Sequence, residues 1–172
     1  MKSLDCDINL INSLRVYLAG NVDLYLSLLK RLVDINSFSL SPLGVNKVGQ
    51  EVIKIFDPLK MNVIEHPSKS KKYGTYLTFT SSMDASYPIL ALVSHMDTVF
   101  SEEEEKKNDF IWKREKDKQY GPGVIDNKGG IIMIYALLDC ISHFFPEIYK
   151  KVNWGVFLNS AEELGTEEFV EI

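Results

Sequence analysis

Basic residues are the minority charge in this chain: 19 Lys and Arg stand against 24 Asp and Glu, for a net charge of -5. Nucleic acid and anionic membranes recruit proteins through positive surface, so both are excluded as partners, and a small molecule or a metal is left. Cysteine is scarce as well. Cys6 and Cys140 have neither close spacing nor a second pair, which excludes a disulfide framework and a thiolate zinc site and leaves buried or incidental thiols. No apolar run approaches the ~20 residues of a membrane-spanning helix. Asp5, Cys6, Asp7 and Asn9 interrupt the apolar segment a secretory signal would need, so the chain reads as cytoplasmic.

What the chain does have is enough apolar material for one sizeable core, with 45% hydrophobic and 25% charged residues in 172. Helical and strand patterns alternate. Residues 22–36 place Tyr25, Leu28, Leu29, Leu32 and Val33 on one helical face behind Asn21 as N-cap. A second helix starts at Ser41-Pro42 and carries Val45, Val48, Val52, Ile53 and Phe56, and residues 8–18 read as a further helix. Strands are expected at 62–65, 75–80 and 88–94; the last, Ile89-Leu90-Ala91-Leu92-Val93, is apolar enough to be a central strand covered on both faces. Residues 110–113 and 118–120 suggest a hairpin separated by the charged 114–117. Residues 131–145 read as a helix and 152–158 as another inner strand. The run Glu102 to Glu105 with Lys106 and Lys107 reads as a solvated loop.

Three short motifs sit where strands end, the place where an open α/β sheet presents its ligands. The first is Ser94-His95-Met96-Asp97-Thr98-Val99. A lone histidine after a strand is usually structural; a carboxylate two residues on changes that balance, because it can accept the second ring N–H and fix the tautomer. The second is Tyr120-Gly121-Pro122-Gly123-Val124-Ile125-Asp126-Asn127-Lys128-Gly129-Gly130. As a phosphate-binding loop it fails twice: it lacks the last glycine of a dinucleotide fingerprint, and Lys128 is followed by Gly129 in place of Ser or Thr. An aspartate at a helix N-terminus is suited to gripping a cation, the plain alternative being an N-cap. The third is Asn159-Ser160-Ala161-Glu162-Glu163-Leu164-Gly165-Thr166. Surface charge is its ordinary explanation; yet adjacent residues leaving a strand point differently, so one carboxylate can hold metal while the other faces a bound water.

Together, and in this order, the motifs resemble the co-catalytic dinuclear zinc peptidases of the aminoacylase and carboxypeptidase G type, a family that also includes succinyl-diaminopimelate desuccinylase and acetylornithine deacetylase. The wording Ser-His-Met-Asp-Thr-Val-Phe is closest to the glutamate carboxypeptidases, and the resemblance runs from about Val22 to the end. It implies a three-layer α/β sandwich with a central mixed sheet flanked by helices. It also implies two zinc ions, with cobalt or manganese as substitutes. Carried onto this sequence, His95 would bind one metal, Asp126 would bridge both and Glu163 would bind the other. Asp97 would orient His95, Glu162 would be the general base, and the peptide after Asp126 would be cis. The implied chemistry is hydrolysis of an amide by metal-activated water, acting on small peptides or N-acylamino acids.

Three positions depart from the family wording: Ala161 where Asp is common, Ile125 where a small residue is common, and Ser94 where Gly is frequent. None is a ligand. The family also has a downstream acidic ligand and histidine, an inserted dimerisation domain and further pocket residues. Residues 1–172 are therefore expected to be the N-terminal portion of a catalytic domain, inactive alone, with any homodimer reserved for the full-length protein. His66 and His143 fall on a strand and in a helix and read as structural or surface residues. The alternative functions are a degenerate, non-catalytic protein with a weak metal site and, less consistent with the glycine spacing, a nucleotide-binding module.

Overall fold

The computed structural model describes residues 7–81, 83–165 and 167–171; Asp5, Cys6 and Thr166, named above, lie outside the described residues. Three helices open the chain: α1 (Ile8–Gly20), α2 (Val22–Val33) and α3 (Pro42–Phe56). All five residues of the apolar stripe of α2 are buried, as their spacing predicts. α2 ends at Val33, short of the expected 36, with Lys30 paired to Asp34 at its C-cap. Neither Asn21 nor Ser41 makes a side-chain cap. Asn21 donates its side-chain amide to the Tyr17 carbonyl at 2.9 Å, closing α1, and still holds the expected N-cap position of α2 through its own carbonyl, which accepts the Tyr25 N–H at 3.0 Å.

Strands β1 (Asn62–His66), β2 (Tyr76–Thr80), β3 (Ile89–His95) and β6 (Asn153–Asn159) form a sheet in the order β1-β2-β6-β3. β1 and β2 are antiparallel, β2 and β6 antiparallel, and β3 runs parallel to β6. The α/β class with a central mixed sheet flanked by helices is as expected. One sheet face, carrying Leu77, Phe79, Trp154, Val156 and Leu158, merges with side chains of α2, α3 and helix α5 (Lys128–Phe144) in a single core. Phe56 of α3 meets Phe79 of β2 with ring centroids 4.9 Å apart.

β3 departs from its expected central place. Among the described residues it is an edge strand bonded to β6 alone, and Ile89 and Val93 remain 67% and 62% exposed. An apolar run predicts that a strand seeks cover, but it does not say how many neighbours it has. The run Glu102 to Glu105 is also corrected, from loop to helix. It begins α4 (Glu102–Asn108), where Ser101 accepts the Glu104 backbone N–H and the Glu104 carboxylate accepts the Ser101 N–H. The hairpin is present as β4 (Lys113–Glu115) and β5 (Lys118–Tyr120), with Phe110 to Trp112, expected in its first strand, lying outside it. Arg114 and Glu115, expected in its loop, are strand residues, because a two-residue turn with Lys116 at φ 56° suffices.

Candidate metal centre

Because β3 and β6 are parallel and in register to their ends, with His95 opposite Asn159, both chains leave the sheet at the same edge. Met96 N–H donates to the Asn159 carbonyl at 2.8 Å and extends the pairing one step further. His95 to Thr98 and Ser160 to Glu163 therefore leave the sheet side by side, at the carboxyl ends of the two strands. The third segment arrives from the hairpin through a turn at Gly121–Val124 and enters α5 at Asn127. Gly123, at φ 74°, is needed here: a Cβ would meet the Lys128 side chain at 2.9 Å. The Asp126–Asn127 peptide is cis, as the family resemblance implies.

The three segments bring one donor each from His95, Asp126 and Glu163 to within 4.8 Å of one another, the only such group of three among the described residues. His95 Nε2 lies 2.9 Å from Asp126 Oδ1 and 3.9 Å from Glu162 Oε2. Two donors each roughly 2 Å from a tetrahedral zinc are about 3.3 Å apart, so His95 Nε2 and Asp126 Oδ1 need only a small shift to share an ion. The imidazole is buried while the Asp126 side chain is 72% exposed, which leaves the cluster open on one side. On that side lies a cleft of about 390 Å³ lined by Thr98, Val99, Tyr120, Ile125, Asp126 and Glu163. Asp126 does not act as the N-cap of α5: Asn127 holds that position and makes no side-chain cap.

Asp97, fully buried, is the hub of the site. Its Oδ1 and its main-chain carbonyl share the His95 Nδ1–H, each at 3.2 Å, and Oδ1 also accepts the Glu162 backbone N–H at 3.1 Å. Its Oδ2 accepts the Ser39 hydroxyl at 2.6 Å and the Glu163 N–H at 3.3 Å. Burial alone would raise its carboxyl, but the bonds from His95 and Ser39 outweigh burial and hold it below the usual carboxylate range. Burial likewise pulls His95 down, while the carboxylates of Asp97 and Asp126 overcome it and raise the imidazole to about 9. A proton thus sits where a cation would bind, and metal binding would release it. Glu163 is raised by burial and by the negative charge of Asp126, a strain that a shared cation would relieve.

Two residues without an expected role stand beneath this cluster. Lys128 is fully buried, donates Nζ to the Ile35 carbonyl at 2.8 Å and is lowered by desolvation to about 8. It ties the start of α5 to the loop after α2. Ser39 belongs to that same loop, 58 positions from Asp97 in the chain. Lys128 lies within the glycine-rich motif of residues 120–130, whereas no local pattern marks Ser39. Of the other histidines, His66 is bonded to the Thr78 hydroxyl at 3.0 Å and His143 stacks on Tyr17 with centroids 4.5 Å apart, in keeping with structural roles. Cys140 is a buried free thiol. No helix among the described residues is long and apolar enough to cross a membrane.

Comparison with known proteins supports the motif reading. Residues 91–172 match the model of Peptidase family M20/M25/M40. Carboxypeptidase G2 of Pseudomonas sp. (strain RS-16) is 38% identical over 77 residues, which is 45% of this chain and 18% of that protein. Human carnosine dipeptidase 1 has a similar fold, with TM-score 0.75 at 17% identity over 94% of this chain and 37% of its own. The dipeptidase Dug1p of Saccharomyces cerevisiae follows at TM-score 0.68 and 15% identity, over 93% of this chain and 36% of its own. The M20 family metallo-carboxypeptidase Sso-CP2 of Sulfolobus solfataricus gives 0.61 and 21% identity, over 82% and 31%. The resemblance is thereby borne out as a likeness to Peptidase family M20/M25/M40, and the chain spans between about a fifth and two fifths of the length of these relatives.

Proposed function

We propose that the chain supplies the metal-binding part of a metal-dependent hydrolase that cleaves C–N amide bonds, a carboxypeptidase or N-acylamino-acid deacylase of the glutamate carboxypeptidase type. The observation that carries this reading is the meeting of His95, Asp126 and Glu163 donors within 4.8 Å at the carboxyl ends of β3 and β6. One imidazole and two carboxylates suit zinc, with cobalt or manganese as substitutes. On this reading His95 and Asp126 would hold one ion, and Asp126 and Glu163 would hold a second. Bound there, the ions would supply Lewis-acid polarisation of the scissile carbonyl and acidify water.

The chain's own residues do the rest. Asp97 keeps Nδ1 of His95 as a donor, so that Nε2 faces the cluster. Glu162, its side chain 56% exposed and 3.9 Å from His95 Nε2, takes the proton of the attacking water and returns it to the leaving amine. Substrates on this reading are small peptides and N-acylamino acids; the identity to Carboxypeptidase G2 supports the carboxypeptidase type.

A non-catalytic protein with a weak metal site is the second reading, supported by the single three-donor group among the described residues, where two catalytic ions need more ligands. Both readings meet one experiment. The protein from its natural source is stripped with chelator, reloaded with zinc, cobalt or manganese, and assayed for amine release from C-terminal glutamyl peptides and N-acylamino acids. Activity lost on stripping and restored by metal supports the hydrolase. Stoichiometric metal uptake with no turnover on either class favours the non-catalytic protein.

A further inference from the structure

We propose that Ser39 is a positioning residue for this metal centre, acting through Asp97 on the His95 ring and on the Glu162–Glu163 backbone; the proposal rests on the metal-site reading above. Ser39 lies in the loop after α2 and is 1% exposed. The loop cannot drift from the strand extension beside it: Thr98 N–H donates to the Ser37 carbonyl at 2.9 Å, and Ser39 N–H donates to the Thr98 carbonyl at 3.1 Å. Its hydroxyl is thus held with two acceptors in reach, Asp97 Oδ2 at 2.6 Å and the Thr98 carbonyl at 3.2 Å. The first is shorter and charge-assisted, and it wins.

The consequence follows from counting donors on the carboxylate. Oδ1 takes Glu162 and, shared at the same distance with the Asp97 main-chain carbonyl, His95, while Oδ2 takes Ser39 and Glu163. Four donors on two oxygens define the carboxylate plane, and through it the ring plane of His95 and the path of the turn that bears both glutamates. Without the Ser39 hydroxyl, Oδ2 keeps one bond of 3.3 Å, and the carboxylate can rotate. Rotation that improves the remaining Oδ2 bond lengthens those on Oδ1, so the imidazole and the glutamate turn loosen together. A serine that only filled space would have no such link to a ring at the end of β3.

The test compares wild type, Ser39→Ala and Ser39→Cys in two measurements: zinc dissociation constants from competition with a chromophoric chelator, and the ¹⁵N shifts of the His95 ring in the zinc-loaded protein. Outer-shell partners of metal ligands are worth 10- to 100-fold in affinity, and Ser39 acts one step further out, so Ser39→Ala is expected to weaken zinc binding by about 10-fold. The His95 Nδ1 resonance should shift or broaden with it, a change that a loss of packing elsewhere would not produce. Ser39→Cys, close in size but a poor donor, should show the same effects in smaller measure, and it carries the test if the alanine variant does not fold. Wild-type affinity and unchanged ring shifts in a folded variant would overturn the role of Ser39. A wild-type protein that takes up no zinc would instead overturn the metal-site reading itself, before any variant is made.

Discussion

The Asp97 carboxylate accepts the backbone N–H of Glu162 at 3.1 Å, across 65 positions of sequence. Expected only to orient His95, Asp97 thus also holds in place the turn that carries both glutamates. The strand ends it joins, those of β3 and β6, are adjacent and parallel, so one buried anion is enough to tie them.

Replacing Asp97 by Asn should therefore do more than weaken a ligand. The amide offers one acceptor oxygen and turns an NH₂ group toward N–H donors that it cannot satisfy, in a position with no access to water. Zinc affinity should fall by roughly 10- to 100-fold, and the metal-free protein should lose about 1–3 kcal/mol of stability from the unsatisfied donors. Calorimetric titration and urea unfolding read the two effects separately. A variant weakened in zinc binding yet unchanged in stability would confine Asp97 to His95 orientation alone.

The two adjacent glutamates should separate by metal content. In the full-length protein, Glu162→Gln should keep the bound metal and lower kcat by roughly 10²- to 10⁴-fold, because the amide keeps the shape of the side chain while losing the proton acceptor. Glu163→Gln should lose metal and activity together, and His95→Ala should resemble it. Metal analysis of each purified variant beside its turnover decides the assignment; full turnover in Glu162→Gln with metal retained in Glu163→Gln would reverse it.

Much of this was legible locally. The strand preceding His95 and the strand preceding Glu162 are short apolar runs that stop at polar residues, and a parallel pairing then brings their ends together without any further information. The apolar stripe of α2 was legible for a similar reason, since helical spacing and burial agree at Tyr25, Leu28, Leu29, Leu32 and Val33. Edge position was not. Whether β3 is inner or outer depends on what else joins the sheet, and Ile89 and Val93 look the same in either case. Ser39 and Lys128 escaped because their importance lies in partners far away in the chain, Asp97 and the Ile35 carbonyl. α4 was missed for a different reason. Its charges suggested a loop, although Ser101 and Glu104 carry the spacing of a capping box, a local signal that outweighs composition.

The glycine pair at the start of α5 gives a graded test of how tightly the Asp126 loop is packed. A Cβ on Gly129 would fall on the Val124 backbone carbonyl, which cannot move without the loop, whereas on Gly130 it would meet first the end of the Asn127 side chain, which can turn away. Gly129→Ala should therefore cost about 1–3 kcal/mol by overpacking, with Gly130→Ala milder. Thermal unfolding of both variants checks the order. Equal losses would mean that the Asn127 side chain is as fixed as the backbone.

Away from the metal centre, Asp139 on α5 accepts hydroxyls from Tyr17 of α1 at 3.0 Å and Tyr25 of α2 at 2.8 Å. This is the polar tie of α1, a helix with no buried residue of its own. Burial and then the Asp139 bond push Tyr17 up to about 12, and Tyr25 is raised for the same reasons. A phenol whose folded pKa is raised contributes stability that is complete below the unfolded value near 10 and is lost as pH climbs through the folded value. The unfolding midpoint of the wild type should therefore fall between about pH 10 and 12 more steeply than that of the Tyr17→Phe, Tyr25→Phe double variant. At neutral pH the double variant should already be less stable, by about 1 kcal/mol for each lost bond. Other groups titrate in the same range in both proteins, so the difference between the two curves carries the result. Parallel curves through that window would mean that both hydroxyls ionise as freely in the folded protein as in the unfolded chain.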